Sequence, residues 1–191
     1  MVQRMAQALN AQSSVLVLVD YQTRLMPAID QSAAVLREAQ WVAEVANALS
    51  VPTVRTEQMP DKLGPTVAEL ARFGAPPLHK HHFNAVAGGL LPRLGSRDAR
   101  ETQVVVAGCE AHVCLFQTAC GLHNAGYSVY VVAGACGSRY ASDRDMALQR
   151  LLQLGVTLVS PEMVAFEWLG TARHPAFARV LPLIKQRGAA A

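Results

Sequence analysis

Charge is the scarcest ingredient of this chain. Only 16% of its 191 residues are Asp, Glu, Lys or Arg, against roughly 25% in an average soluble domain. The basic residues form no run and are not interleaved with aromatics, which removes the clustered cationic face of a nucleic-acid binder. Long apolar runs are missing too. Stretches such as 15–19 fall far short of the roughly 20 residues that cross a bilayer. The N-terminus carries Arg4 but no continuous apolar segment, so it does not read as a secretory leader and the expected location is the cytoplasm. The four cysteines, Cys109, Cys114, Cys120 and Cys136, contain no C-x-x-C, which speaks against a zinc ribbon or a thioredoxin-like motif. No G-x-G-x-x-G or P-loop follows the first apolar run. A dinucleotide or phosphate cradle has no support, and no cofactor is expected.

What is present is apolar mass. Hydrophobic residues make up 51% of the chain, which excludes disorder and suffices for a real core at this length. No repeat, low-complexity tract or linker divides the sequence. A single domain over 1–191 is expected, with 1–13 as an N-terminal extension and 186–191 as a tail. The low charge points to a homo-oligomer, a dimer or larger. The region 161–184 offers Phe166, Trp168, Leu169, Phe177 and Leu181 as apolar surface for a second copy.

The punctuation alternates strand and helix. Short apolar runs at 14–19, 53–56, 103–107, 128–133 and 156–159 read as strands, and Lys80 ends another around Leu78. Helical spacing covers 28–49, 66–73 and 113–124. Ser142 is the expected cap of a further helix that Gly155 ends, and Pro161 opens the last helical region. The runs are apolar throughout rather than alternating in polarity. This argues for an α/β fold with a parallel sheet covered on both faces. Ligands in such folds sit beyond the carboxyl ends of the strands. Chemistry is therefore sought after Asp20, after Thr56, near Lys80, after Ala107 and after Ala133.

Each candidate has two readings. Asp20 ends the first strand and fits both a turn-forming cap and a general base in a partly dry site. Lys80, flanked by apolar and aromatic residues, fits a solvated surface lysine or a cation that keeps a nearby carboxylate and thiol anionic. Cys114 falls where a strand and a glycine turn run into a helix. There it either packs under the turn or is activated by the positive helix end. His112 pairs with that thiol, lines the pocket or points outward. His79, His81 and His82 have the look of metal ligands but no acidic partner in their own segment, and a solvated cluster is the expectation.

Three segments in register resemble the isochorismatase-like cysteine hydrolases: Leu16-Val17-Leu18-Val19-Asp20-Tyr21-Gln22, Leu78-His79-Lys80 with Phe83, and Gly108-Cys109-Glu110-Ala111-His112-Val113-Cys114. Thr56-Glu57-Gln58, Leu63-Gly64-Pro65-Thr66-Val67, Ser138-Arg139 and Asp143-Arg144 resemble the isochorismatase-domain-containing subgroup. The likeness runs from about Ser14 to Ile184. It implies a three-layer αβα sandwich around a central, mainly parallel sheet with Rossmann-like topology. It also implies a triad of Asp20, Lys80 and Cys114, a cis peptide at Cys109–Glu110, and an oxyanion hole from the N–H groups of Glu110 and Cys114. Gln22, Gln58, Phe83 and His112 become candidates for the substrate pocket.

Departures from the family pattern narrow the chemistry. Nicotinamidases of this superfamily carry an Asp and His metal pair before the lysine, whereas 56–78 here contains Glu57 and Asp61 but no histidine. True isochorismatases cleave a vinyl ether and do not need the cysteine, so Cys114 favours acyl chemistry. The expected activity is hydrolysis of a small amide or ureido C–N bond through a covalent cysteine intermediate. Vinyl-ether hydrolysis and a non-catalytic binding or assembly module on the same fold are the alternatives. The expected partners are a small-molecule substrate and further copies of the chain, with no nucleic acid and no membrane. No metal is expected. Metal analysis of protein purified without a His tag should find well under one zinc per chain, and a stoichiometric metal held by His79, His81 or His82 would overturn that expectation.

Overall fold

Burial on both faces dictates the strands. In the computed structural model, which describes residues 7–96 and 98–189, the central segments carry no polar alternation. The strands are β1 (Ser14–Val19), β2 (Thr53–Gln58), β3 (Leu78–Lys80), β4 (Gln103–Gly108), β5 (Ser128–Val132) and β6 (Thr157–Val159). They form one sheet in the order β3-β2-β1-β4-β5-β6, and every pairing is parallel. Along β1, Leu16 and Leu18 face one side while Val15, Val17 and Val19 face the other, and each set enters a separate apolar cluster.

Helices supply the two outer layers: α1 (Ser32–Ala48), α2 (Pro60–Leu63), α3 (Ala68–Ala71), α4 (Phe116–Asn124), α5 (Ala141–Gln153), α6 (Pro161–Leu169) and α7 (Phe177–Ala189). Val42, Val45 and Ala46 of α1 share one cluster with Val164, Ala165 and Trp168 of α6 and Val180 of α7. Ala119 and Leu122 of α4 and Ala147 and Leu151 of α5 share the other. The architecture is a six-stranded parallel α/β sandwich. Among the described residues no helix is long and apolar enough to cross a membrane.

Several boundaries differ from the sequence reading, each for a local reason. The helix expected over 28–49 begins only at Ser32, because Gln31 takes a left-handed φ of 49° that breaks it from the preceding turn. The helix expected to be capped by Ser142 starts at Ala141, with Tyr140 as the cap and no side-chain bond. The region 161–184 is two helices, and its apolar residues do not form one face. Trp168 and Leu169 are each only 3% exposed. The Trp168 indole N–H donates to Ser14 Oγ at 2.9 Å. Phe177 packs partly against the same core, and Phe166 is exposed. The expected surface for a second copy thus loses Trp168 and Leu169 to the interior. Within the expected extension, Leu9 is buried and its N–H donates to Glu167 Oε2 at 2.7 Å, so 8–13 is docked on the domain. Residues 1–6 of that extension and 190–191 of the tail lie outside the described residues.

Gly108, at the end of β4, lies tight against Val19 at the end of β1. A Cβ there would lie 2.6 Å from the Val19 carbonyl oxygen, a backbone atom that cannot swing aside. Gly108→Ala is therefore expected to lower unfolding stability by about 3 kcal/mol, the upper end for overpacking. Urea denaturation reads this directly, and a midpoint equal to wild type would contradict the close approach.

Candidate active site

The parallel order brings the ends of β1, β2, β3 and β4 to one edge, and the chemistry gathers there. Asp20 follows β1 directly with φ 55°, a left-handed conformation that Asp tolerates better than most residues. Its N–H donates to the Thr56 carbonyl at 3.2 Å, which closes the strand end. The side chain is fully buried. A buried carboxylate needs partners, and it has them: Thr56 Oγ1 donates to Oδ1 at 2.7 Å, and Lys80 Nζ donates to Oδ2 at 2.7 Å.

Lys80 is buried because strand alternation at the end of β3 turns Leu78 and Lys80 inward and His79 outward. Its ammonium carries three N–H donors and meets three acceptors: Asp20 Oδ2, Gln58 Oε1 at 2.8 Å and the Phe83 carbonyl at 3.4 Å.

Cys114 sits in a single π turn, Ala111–Leu115, that joins β4 to α4. The Leu115 N–H reaches back to the Glu110 carbonyl at 3.2 Å. Such turns insert one residue into a helix and are frequent at functional sites. The sulfur is nearly buried, and three influences act on its ionisation. Burial is the largest and raises its pKa, the Asp20 carboxylate raises it further, and the Lys80 ammonium opposes both. The balance pushes the thiol up to about 12. At neutral pH the resting sulfur therefore carries its proton.

The Cys109–Glu110 peptide is cis. The Glu110 carboxylate accepts from the Arg139 backbone N–H and from Arg139 Nε, both at 3.0 Å. Around this centre the other sequence candidates occupy distinct places. Gln22 is fully buried, and its amide donates to the Gln58 and Gly64 carbonyls at 3.1 and 2.7 Å while accepting from the Gln58 N–H at 2.8 Å. Phe83 is 51% exposed, and its carbonyl is the group that meets Lys80. His112 is engaged elsewhere: Nδ1 lies 2.9 Å from Ser138 Oγ and Nε2 lies 3.9 Å from Asp143 Oδ2.

The histidine run disperses. His79 Nε2 is 3.2 Å from Glu57 Oε2 at the open edge, while His81 contributes its carbonyl to the Gln58 amide at 2.8 Å. Among the described residues no three His, Cys, Asp or Glu side chains gather as a metal-binding group.

Sequence reasoning missed Thr118. It lies one turn beyond Cys114 on α4 and is fully buried. Its hydroxyl accepts from the Ala85 N–H at 3.0 Å and donates to the Phe83 carbonyl at 3.4 Å. It thereby ties the segment after Lys80 to the helix after Cys114. The available signal was a hydroxyl among apolar helix positions, which needs a partner when buried.

Comparison with known proteins gives the chain a family and its fold a counterpart. The model of the isochorismatase domain matches residues 14–163. The chain belongs to the isochorismatase domain family. It is 39% identical to isochorismatase domain-containing protein 2 of Bos taurus, over 91% of this chain and 84% of that one. The Homo sapiens protein of the same description is 38% identical with the same coverage. Among solved structures, MAR1 ribonuclease from Caenorhabditis elegans superposes with a TM-score of 0.87 at 30% identity, covering 94% of this chain and 93% of that one. The isochorismatase-like α/β fold is thus common to sequence and structure.

The buried acids of this domain carry a pH consequence. Cys114 and Cys136 are both pushed up to about 12 from 9.0, chiefly by burial, and Cys109 and Tyr21 are raised for the same reason. Above the ordinary thiol range the unfolded chain has released protons that the folded chain still holds. Stability therefore falls as pH rises through that window and is fully present below it. The urea midpoint is expected to hold from about pH 7 to 8.5 and to decline steadily towards about pH 11. A midpoint that stays level across the upper range would contradict the assignment.

Proposed function

We propose that this isochorismatase-family protein is a cysteine hydrolase that cleaves a small amide or ureido C–N bond. The observation that carries the reading is the contact set at the sheet edge. A fully buried Asp20–Lys80 ion pair, 2.7 Å apart, acts on a nearly buried thiol at the start of a helix. A structural ion pair has no need of a sulfur beside it, and a packing cysteine has no need of the pair.

The protonated resting thiol sets the order of events. Asp20 takes the Sγ proton as Cys114 attacks the substrate carbonyl, so the S–C bond forms while the carbonyl electron pair moves onto oxygen. Backbone N–H groups of Glu110 and Cys114 receive that oxyanion. Collapse restores the carbonyl and breaks the C–N bond, and the proton held on Asp20 passes to the leaving nitrogen. Water then adds to the thioester, giving its proton to Asp20. Collapse of this second tetrahedral adduct breaks the S–C bond, releases the acid product and lets the sulfur take back the proton held on Asp20. Lys80 keeps its charge beside the carboxylate and the forming thiolate throughout.

The C. elegans structure bears the name ribonuclease, and RNA therefore belongs in the test. Nothing at this site favours a phosphodiester, since the Lys80 ammonium is already engaged by Asp20, Gln58 and the Phe83 carbonyl and faces the Cys114 sulfur. Vinyl-ether hydrolysis would leave Cys114 a bystander.

The experiment is a panel of small amides and ureido compounds, one isochorismate-type vinyl ether and an RNA oligonucleotide, assayed with wild type, Cys114→Ala and Asp20→Asn. Release of ammonia or amine is expected from at least one amide. Loss of the nucleophile should lower kcat by about 10³-fold or more, and loss of the base by about 10²–10⁴-fold. Amide turnover that survives in Cys114→Ala, or turnover confined to the vinyl ether or RNA, would defeat the proposal.

A further inference from the structure

The sequence made Gln58 a candidate for touching substrate, but its bonding points elsewhere. Gln58 and Lys80 are register partners across β2 and β3, so their side chains leave the sheet on the same face. The Gln58 side chain carries one carbonyl oxygen and one NH2 group. The NH2 is held by the His81 carbonyl at 2.8 Å, which leaves Oε1 aimed at Lys80 Nζ, also at 2.8 Å. The amide cannot flip without setting donor against donor at Lys80 and acceptor against acceptor at His81. The backbone of Gln58 is pinned as well. Gln22 Oε1 accepts from its N–H at 2.8 Å and Gln22 Nε2 donates to its carbonyl at 3.1 Å. Gln58 itself is 6% exposed. All the hydrogen-bonding groups named here face protein.

The geometry points to Gln58 as a positioning residue that acts through Lys80: it supplies the neutral acceptor that keeps the ammonium against Asp20 and beside the Cys114 sulfur, while Gln22 clamps its backbone. The inference rests on the cysteine-hydrolase reading for its catalytic consequence. Its physical content, control of Lys80 and through it of the thiol, stands without a substrate. An anionic acceptor in place of Gln58 would compete with Asp20 for the same ammonium. An apolar side chain would leave a buried N–H without a partner. A neutral oxygen does neither. The charged groups that face the sulfur are Asp20 from the end of β1 and Lys80 from the end of β3. Gln58 touches the second of them.

Two variants test this, Gln58→Met, which keeps the unbranched shape without the acceptor, and Gln58→Glu, which keeps an acceptor oxygen and adds charge. The first readout needs no substrate: the pH profile of Cys114 alkylation by iodoacetamide, followed by peptide mass, with Cys114→Ala as the blank. In Gln58→Met the profile is expected to move to higher pH and alkylation at a fixed pH to slow by about tenfold or more, the scale of losing a hydrogen bond to a charged group. Gln58→Glu should move the same way, because a second carboxylate opposes the thiolate. The second readout is steady-state kinetics on whichever amide the wild type cleaves. There kcat should fall by a similar factor while KM holds.

An alkylation profile in Gln58→Met that overlays wild type would overturn the inference, as would a rise in KM at constant kcat in either variant. Should Gln58→Met fail to fold, judged by circular dichroism, Gln58→Glu decides by the same KM-against-kcat split and the same shift in profile. If the wild type cleaves no amide, the hydrolase reading falls and the alkylation profiles still decide the role of Gln58.

Discussion

The contact between Lys80 and Asp20 is the constraint around which the site is built. Two opposite charges with no solvent exposure face a large desolvation cost. Their mutual attraction offsets it only when every remaining donor and acceptor is satisfied. Here the carboxylate takes Thr56 from β2 and the ammonium takes Gln58 from β2 and the Phe83 carbonyl beyond β3. Removing one partner of such a pair costs about 3–5 kcal/mol, because the other is left buried and alone. An apolar pair of similar volume would have served stability as well. The retention of charge at this depth is therefore best understood through the thiol that both groups act upon.

The sheet makes that contact possible by registry rather than by local sequence. In the parallel order, Val19 sits opposite Thr56 on one side and Gly108 on the other, and Gln58 sits opposite Lys80. Asp20 lies one residue past β1, Lys80 is the last residue of β3, and Cys114 lies in the turn that follows β4. Gly108 permits the close approach of β4 to β1, and the π turn after it delivers Cys114 to the edge. Thr118 then locks the helix that follows to the segment after Lys80. The relative placement of three residues separated by 60 and 34 positions is thus fixed through backbone pairing and two buried hydroxyls.

Several features were open to sequence reading because they rest on local physics. Uniformly apolar runs mark strands buried on both faces, and glycine and proline punctuation marks where they stop. Asp20, Lys80 and Cys114 were visible as polar or nucleophilic residues at the ends of such runs. Where the reading missed, the cause was a partner distant in sequence. Trp168 looked like surface because nothing nearby announced that Ser14 would accept its indole N–H. His112 stayed open between pairing with Cys114, lining the pocket and pointing outward, because nothing nearby announced Ser138. Ser138, from the loop after β5, claims its ring instead. Ser142 had the chemistry of a cap, yet the cap of α5 falls two residues earlier, at Tyr140.

By itself, the sequence determined the parallel α/β class, the residues able to carry chemistry and the family to which the chain belongs. Those follow from periodicity, composition and motif order, all of which are local or one-dimensional. The tertiary structure alone decided which acceptors the Lys80 ammonium would meet. It also decided that Gln58 would turn its oxygen to that lysine, and that burial would hold the Cys114 thiol protonated. The physical reason is that ionisation and hydrogen-bond direction depend on what surrounds a group in space. For each of these side chains, most of those surroundings come from strands and helices far away along the chain.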